Sequence, residues 1–326
     1  MGDDDGQSIL KTYLPTYPQS HQGTFVEPMT FINKLLVFIG IWQSIWCLSY
    51  GDPTPVVIWH GSGDTSEGIP NSMMKLIEDH IDGIYVKRIR IGASVWDEYQ
   101  NSIFMHPDIQ ISLVCNELQN DTRLSNGYNS IGLSQGGVFL RAIAQRCPWP
   151  PMKNLITFAS PHQGVYGLPK CPSTKTWICD IIRHFLFLAA YKSSTQKFLI
   201  PATYWHDPFN EVMYKWQSTF LSDINNEKGK NEEYSQNLQK LERFIMVKFR
   251  NDSVTQPRET QWFEFYLPGQ DKVILPLRKS KLYREDKLGL ATMDKKGQLV
   301  FLELNGDHLK YSDEWFVENI LRYLRS

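Results

Sequence analysis

Hydrophobic positions along this chain fall into short solid runs, separated by longer stretches in which apolar residues recur at helical spacing. The runs are Pro55-Val56-Val57-Ile58-Trp59, Ile84 to Ile91, Tyr128 to Leu133, Asn154-Leu155-Ile156-Thr157-Phe158, Arg243 to Phe249 and Gln298 to Leu304. Apolar runs of this length, without polar alternation, mark strands covered on both faces. Between them, Asn71 to His80, Asp108 to Gln119 and Gly136 to Arg146 read as helices, and Pro148, Pro150 and Pro151 stop the last of these. Regular alternation of strand and helix predicts an α/β fold: a mostly parallel central sheet with right-handed crossovers, flanked by helices.

The alternation breaks from residue 160 to about 242. Ile178, Ile181, Ile182, Phe185, Leu186 and Ala189 make one helical stripe, and Phe187, Leu188 and Ala190 make the opposite side apolar as well. A helix that is apolar on both sides is either buried between layers or lends its second face to an apolar ligand. Ile181, Ile182, Phe185 and Leu186 are the candidates for lining a groove that takes a long acyl chain. The rest of the segment is rich in aromatics, including Tyr204-Trp205-His206-Asp207-Pro208 and Tyr214-Lys215-Trp216. It suits a largely helical lid or cap inserted between core strands better than a separate domain.

The N-terminus divides in two. Residues 1–28 carry Asp3-Asp4-Asp5 and no periodicity, and read as a leader without fold information. From Met29 the order is basic Lys34, apolar Leu35 to Trp42, then small residues around Cys47-Leu48-Ser49, as in a secretory signal with Met29 as its working start. The apolar run is shorter than the ~20 residues that a membrane-spanning helix needs, so cleavage near Ser49 to Gly51 is expected and no membrane span thereafter. The hydrolytic domain expected below then occupies residues 51–326.

Composition narrows the class. With 42% hydrophobic and 13% aromatic residues the chain can bury a large core, and a formal net charge of −1 with no basic block gives no reason to expect nucleic acid. Cys47 falls within the signal and leaves Cys115, Cys147, Cys171 and Cys179. Four cysteines in an oxidising compartment suggest two bridges with three possible pairings. A short loop clasp between Cys171 and Cys179 would leave Cys115 with Cys147. The acceptor sequons Asn120-Asp121-Thr122 and Asn251-Asp252-Ser253 point to the same lumenal route.

Candidate chemistry centres on Gly132-Leu133-Ser134-Gln135-Gly136, a Gly-x-Ser-x-Gly turn entered by a strand and left by a helix. That context holds a serine hydroxyl out at the sheet edge, with glycines where a Cβ would collide with the adjoining elements. A serine is nearly inert at its free pKa and needs a base, an orienting carboxylate and oxyanion donors. In α/β hydrolases the partners follow in the order Ser, Asp or Glu, His, each on a loop after a strand. Asp252 follows the run ending at Phe249 and His308 follows the run ending at Leu304, so Asp252 is expected as the orienter and His308 as the base. The backbone amide of Gln135 is one expected oxyanion donor. The loop His60-Gly61-Ser62-Gly63 supplies the other, with the Ser62 amide as best candidate. His60, His106, His162, His184, His206 and Asp307 are left as ordinary structural residues. No His/Cys spacing suggests a metal, and no cofactor is expected.

With these residues in hand the chain resembles the palmitoyl-protein thioesterases, lysosomal depalmitoylating α/β hydrolases. The resemblance runs from about Pro53 to the end and rests on His60-Gly61-Ser62-Gly63-Asp64, Gly132 to Gly137, Ser160-Pro161-His162-Gln163-Gly164-Val165, Tyr204 to Pro208, Val247 to Ser253 and Gly306-Asp307-His308-Leu309. It implies the α/β-hydrolase fold, a triad of Ser134, Asp252 and His308, oxyanion amides of Ser62 and Gln135, and pairings Cys115–Cys147 and Cys171–Cys179. It further implies an insertion that forms a fatty-chain groove. The implied activity is hydrolysis of palmitoyl thioesters on S-acylated protein cysteines in the lysosome, releasing fatty acid. A lumenal lipase, an acyl-CoA thioesterase and an inactive acyl-chain binder are the alternatives. Three departures stand out: Ser62 where the family usually carries Met, Thr65-Ser66-Glu67 where vertebrate members carry adjacent cysteines, and residues 1–28 without counterpart.

Overall fold

Val56–Trp59 forms β1, the first strand of a sheet that the computed structural model describes within residues 52–167, 186 and 188–325. The expected leader and signal, together with Cys171, Cys179, Ile181, Ile182 and Phe185, lie outside the described residues. Following β1 come helix α1 (Ile69–Glu78), β2 (Val86–Arg88), α2 (Val95–Phe104), α3 (Pro107–Asn120), β3 (Tyr128–Leu133), α4 (Gln135–Arg146) and β4 (Met152–Phe158). After the insertion come β5 (Arg243–Phe249), β6 (Leu299–Leu304) and α5 (Asp313–Asn319). The strands pair in parallel in the order β2-β1-β3-β4-β5-β6, so the loops after all six open at one edge of the sheet.

The solid apolar runs are explained by two cores. Val57, Trp59, Phe244 and Met246 pack on one side of the sheet with Val138 and Phe139 of α4. Their neighbours Val56, Ile58, Ile245 and Val247 pack on the other side with Phe316 of α5. Successive residues of a strand face opposite ways, so a sheet buried on both faces needs an apolar residue at every position.

Two elements differ from expectation. The run Ile84 to Ile91 yields only three strand residues, because β2 is an edge strand whose sole partner, β1, is itself four residues long. Ile84, Ile89 and Ile91 are buried all the same, as loop residues on the core. Helix α2 was not expected, and its burial is inverted: Glu98 and Ser102 are 1% exposed whereas Trp96 is 64% exposed. Its start is nonetheless written in the chain. Ser94 accepts from the Asp97 amide while the Asp97 carboxylate accepts from the Ser94 amide, a reciprocal capping box.

Cys115 of α3 and Cys147, which caps α4, are joined by a disulfide with Cα atoms 6.1 Å apart. The described part of the insertion contains short helices, among them Ile200–Thr203, Glu211–Gln217 and Leu221–Ile224. Leu186 is buried there with Tyr166, Ala190, Ala202, Trp205 and Phe265. Arg141 of α4 clamps this segment to the core, donating to the carbonyls of Ile224 and His162 and to Asn225 Oδ1 at 2.9 to 3.3 Å. Burial without a carboxylate partner pulls its guanidinium down to about 9. No helix among the described residues is long and apolar enough to cross a membrane.

Candidate active site

Ser134 stands between β3 and α4 with φ 52° and ψ −119°, a backbone conformation that non-glycine residues rarely adopt. Holding a residue there costs roughly 1–3 kcal/mol, which the surrounding bonds must overcome. The Ser134 amide donates to the Phe158 carbonyl at 2.7 Å, and its own carbonyl accepts from the Gly137 amide at 3.1 Å. The close turn depends on its glycines. A Cβ on Gly132 would strike the backbone of Gly137, and one on Gly136 would lie 2.5 Å from the His60 carbonyl oxygen and against that of Trp59. Gly136→Ala should therefore cost on the order of 3 kcal/mol, or roughly 6–12 °C in Tm, by thermal unfolding followed by circular dichroism. An unchanged Tm would show that the turn has room that the backbone does not display.

Asp252 follows β5 and is buried, with four donors converging on it. The amides of Val254 and Thr255 each donate to Oδ1 at 2.8 Å, and Gln261 Nε2 donates to Oδ2 at 2.9 Å. The fourth is His308 Nδ1, 2.8 Å from Oδ2. A carboxylate only accepts, so Nδ1 carries the proton and the neutral imidazole keeps its lone pair on Nε2. The Asp252 side chain is closed to solvent and that of His308 is 14% exposed.

Two further residues lock this pair. Gln261 accepts the Phe249 amide at 3.0 Å while donating to Asp252, so one side chain ties the carboxylate to the end of β5. Asp307 accepts from the amides of Ser253 at 2.8 Å and His308 at 2.7 Å, and from the Ser253 hydroxyl at 3.1 Å. It thus staples the carboxylate loop to the histidine loop. Burial pushes the Asp307 carboxyl up, but those donors outweigh it and hold the group below its ordinary value. Backbone bonds from Arg250 to Leu304 and from Asn251 to Gly306 join the same two loops.

On the other side of Ser134 lies the loop after β1. A Cβ built on Gly61 would sit 3.2 Å from Ser134 Cβ and 3.8 Å from its Oγ, so this loop borders the hydroxyl directly. Ser102 of α2 joins the loop to the start of α4. Its hydroxyl accepts from the Gly63 amide at 2.9 Å, and its carbonyl accepts from Gln135 Nε2 at 2.9 Å and from the Ser62 hydroxyl at 3.4 Å. Tyr204 of the insertion donates to Gln135 Oε1 at 3.2 Å. Ser134 also precedes the N-terminus of a twelve-residue helix, where backbone N–H groups and the helix dipole favour negative charge.

The chain matches the family description of palmitoyl protein thioesterases over residues 55–308, from the first core strand to the histidine. It belongs to the palmitoyl protein thioesterase family. It is 40% identical over 270 residues to palmitoyl-protein thioesterase 1 of Caenorhabditis elegans, covering 82% of this chain and 90% of that one. Palmitoyl-protein thioesterase 3 of Dictyostelium discoideum is 35% identical over 278 residues, with 83% and 92% covered. A lysosomal thioesterase of Bos taurus, PPT2, is 25% identical over 260 residues, with 77% and 80% covered.

In this thioesterase the Asp252 and His308 side chains meet, and Ser134 lies on the turn between β3 and α4, as the order of motifs suggested. Asp307, Gln261, Ser102 and Tyr204 were not foreseen. Asp307 had a local signal, as the residue before the histidine after a Gly. Gln261 and Ser102 had none, because their roles arise from contacts across 9 to 39 residues of chain, and Tyr204 stood out only as part of an aromatic-rich segment.

Proposed function

We propose that the chain is a serine thioesterase that removes long-chain acyl groups from protein cysteines, with Ser134 as nucleophile, His308 as base and Asp252 as orienter. The observation that carries the assignment is the short Nδ1–Oδ2 contact between His308 and a fully buried Asp252, which leaves the lone pair of Nε2 for proton transfer. His308 Nε2 takes the Ser134 proton as Oγ attacks the acyl carbon, and the amides of Gln135 and Ser62 receive the oxyanion. The carbon–sulfur bond then breaks. The cysteine thiolate, with a free pKa of ~8.5, leaves with little help, and the imidazolium supplies its proton. Water, deprotonated in turn by His308, attacks the acyl-enzyme and frees the fatty acid and Ser134.

A lumenal, lysosomal site of action fits the exposed sequon residues Asn120 and Asn251, the disulfide between Cys115 and Cys147, and the signal-like stretch from Met29. The preference for a long acyl chain rests on the apolar, aromatic-rich insertion and on the family, with Leu186 packed among Tyr166, Trp205 and Phe265. The test compares kcat/KM on an S-palmitoyl cysteine peptide, palmitoyl-CoA and a p-nitrophenyl ester of the same chain length. The peptide thioester should be turned over at least tenfold more efficiently than the oxygen ester. The reverse order would replace this reading with that of a lumenal esterase or lipase, and a preference for palmitoyl-CoA would replace the protein substrate by a small thioester.

A further inference from the structure

The loop after β1 carries a histidine that the reaction above does not use. His60 is 3% exposed, and its Nδ1 lies 2.9 Å from the carbonyl oxygen of the next residue, Gly61. Its Nε2 stands 3.2 Å from Glu98 Oε1, an ion-pair contact that falls short of an aligned hydrogen bond. Glu98, on α2, is buried as well. It accepts from the Ser66 amide at 2.8 Å and the Ser66 hydroxyl at 3.0 Å, and Arg88 Nη1 donates to the Ser66 carbonyl at 2.6 Å. Burial pushes the Glu98 carboxyl up, but the contacts from His60 and Ser66 outweigh it and hold the group below its ordinary value.

Both ring nitrogens of His60 therefore face groups that only accept, a carbonyl and a carboxylate. Nδ1, which donates to the Gly61 carbonyl, is the nitrogen that bears on the loop. The consequence lies in the peptide plane. The Gly61 carbonyl and the Ser62 amide belong to one planar trans unit, in which C=O and N–H point opposite ways. Pinning the oxygen aims the N–H. The only other backbone donor to that oxygen among the described residues is the Asp64 amide, at a long 3.4 Å.

We propose that His60, held by Glu98, is a positioning residue that fixes the Gly61–Ser62 peptide plane and so points the Ser62 amide at the oxyanion. The inference rests on the reading of Ser62 as an oxyanion donor. It also accounts for the inverted burial of α2, whose inner face delivers Glu98 to the histidine and Ser102 to the same loop.

The test uses the whole enzyme on an S-palmitoyl peptide. His60→Ala should lower kcat by about 10- to 100-fold with KM within about twofold, since a misaimed donor weakens transition-state binding more than substrate binding. His60→Asn, whose amide nitrogen can take the place of Nδ1, should recover at least half of that loss on a logarithmic scale. In the 15N spectrum of the unmutated enzyme labelled at histidine, His60 should show a proton on Nδ1. A bare Nδ1, a folded His60→Ala with unchanged kcat, or a His60→Asn no better than His60→Ala would each overturn the proposal. Ser134→Ala in the same assay separates the two levels: turnover in that variant sinks the site reading itself, while an inactive Ser134→Ala beside a fully active His60→Ala sinks only the role of His60.

Discussion

Ser134→Ala is expected to lower kcat on an S-palmitoyl peptide by roughly 10⁶-fold, leaving only what the oxyanion donors and binding provide. The substitution removes one oxygen and keeps the Cβ, so the demand of φ 52° on the backbone is unchanged. The bonds that hold the turn, from the Ser134 amide to Phe158 and from Gly137 to the Ser134 carbonyl, are backbone bonds and survive. Loss of activity should thus come without loss of fold. The check is kcat beside Tm: a variant that keeps even a hundredth of the activity would mean that another nucleophile or a bound water does the chemistry.

Asp252→Asn should cost about 10⁴-fold in kcat, for a reason that can be read from its partners. Oδ1 receives two backbone donors and Oδ2 receives Gln261 and His308, so either orientation of the new amide sets an NH₂ group against donors. The backbone amides of Val254 and Thr255 cannot turn away, whereas the His308 ring can change tautomer. The cheapest outcome puts the asparagine NH₂ toward His308 Nδ1, which must then accept and carry its proton on Nε2. The nitrogen meant to take the Ser134 proton already holds one. Steady-state kinetics should show the fall in kcat with KM nearly unchanged. A fall of less than tenfold would mean that the carboxylate does not orient this histidine.

The parts of the fold legible in the chain were those where a single local rule applied. Val56–Trp59, Tyr128–Leu133 and Arg243–Phe249 lie in a sheet covered on both faces, so each announces itself as an unbroken apolar run. The Gly132-to-Gly136 turn could be read because its glycines are demanded by contacts within the same motif. Helix α2 was hidden because it obeys a different rule. It turns polar Glu98 and Ser102 inward against the loop after β1 and leaves Trp96 and Tyr99 outside, the reverse of the apolar-inward pattern that marks a core helix. Its capping box, Ser94 to Asp97, was the one local cue.

The same division holds at the site. Asp252 and His308 were found from the order of loops after strands, a property of the chain. What locks them was not, because Gln261 and Asp307 act by closing distances between loops that the sequence does not measure. Residues of this second kind are ordinary in type and special only in place. Of the four residues named for a fatty-chain groove, Leu186 alone lies within the described residues, packed in a cluster with Trp205 and Phe265.

The central claim is that the acyl group passes through a covalent bond to Ser134, and the direct measurement is mass analysis of enzyme quenched during turnover of an S-palmitoyl peptide. A palmitoyl adduct should map to the peptide containing Ser134 and be absent from Ser134→Ala. An enzyme that turns the substrate over with no adduct at any time, or with the adduct on another residue, would contradict the account.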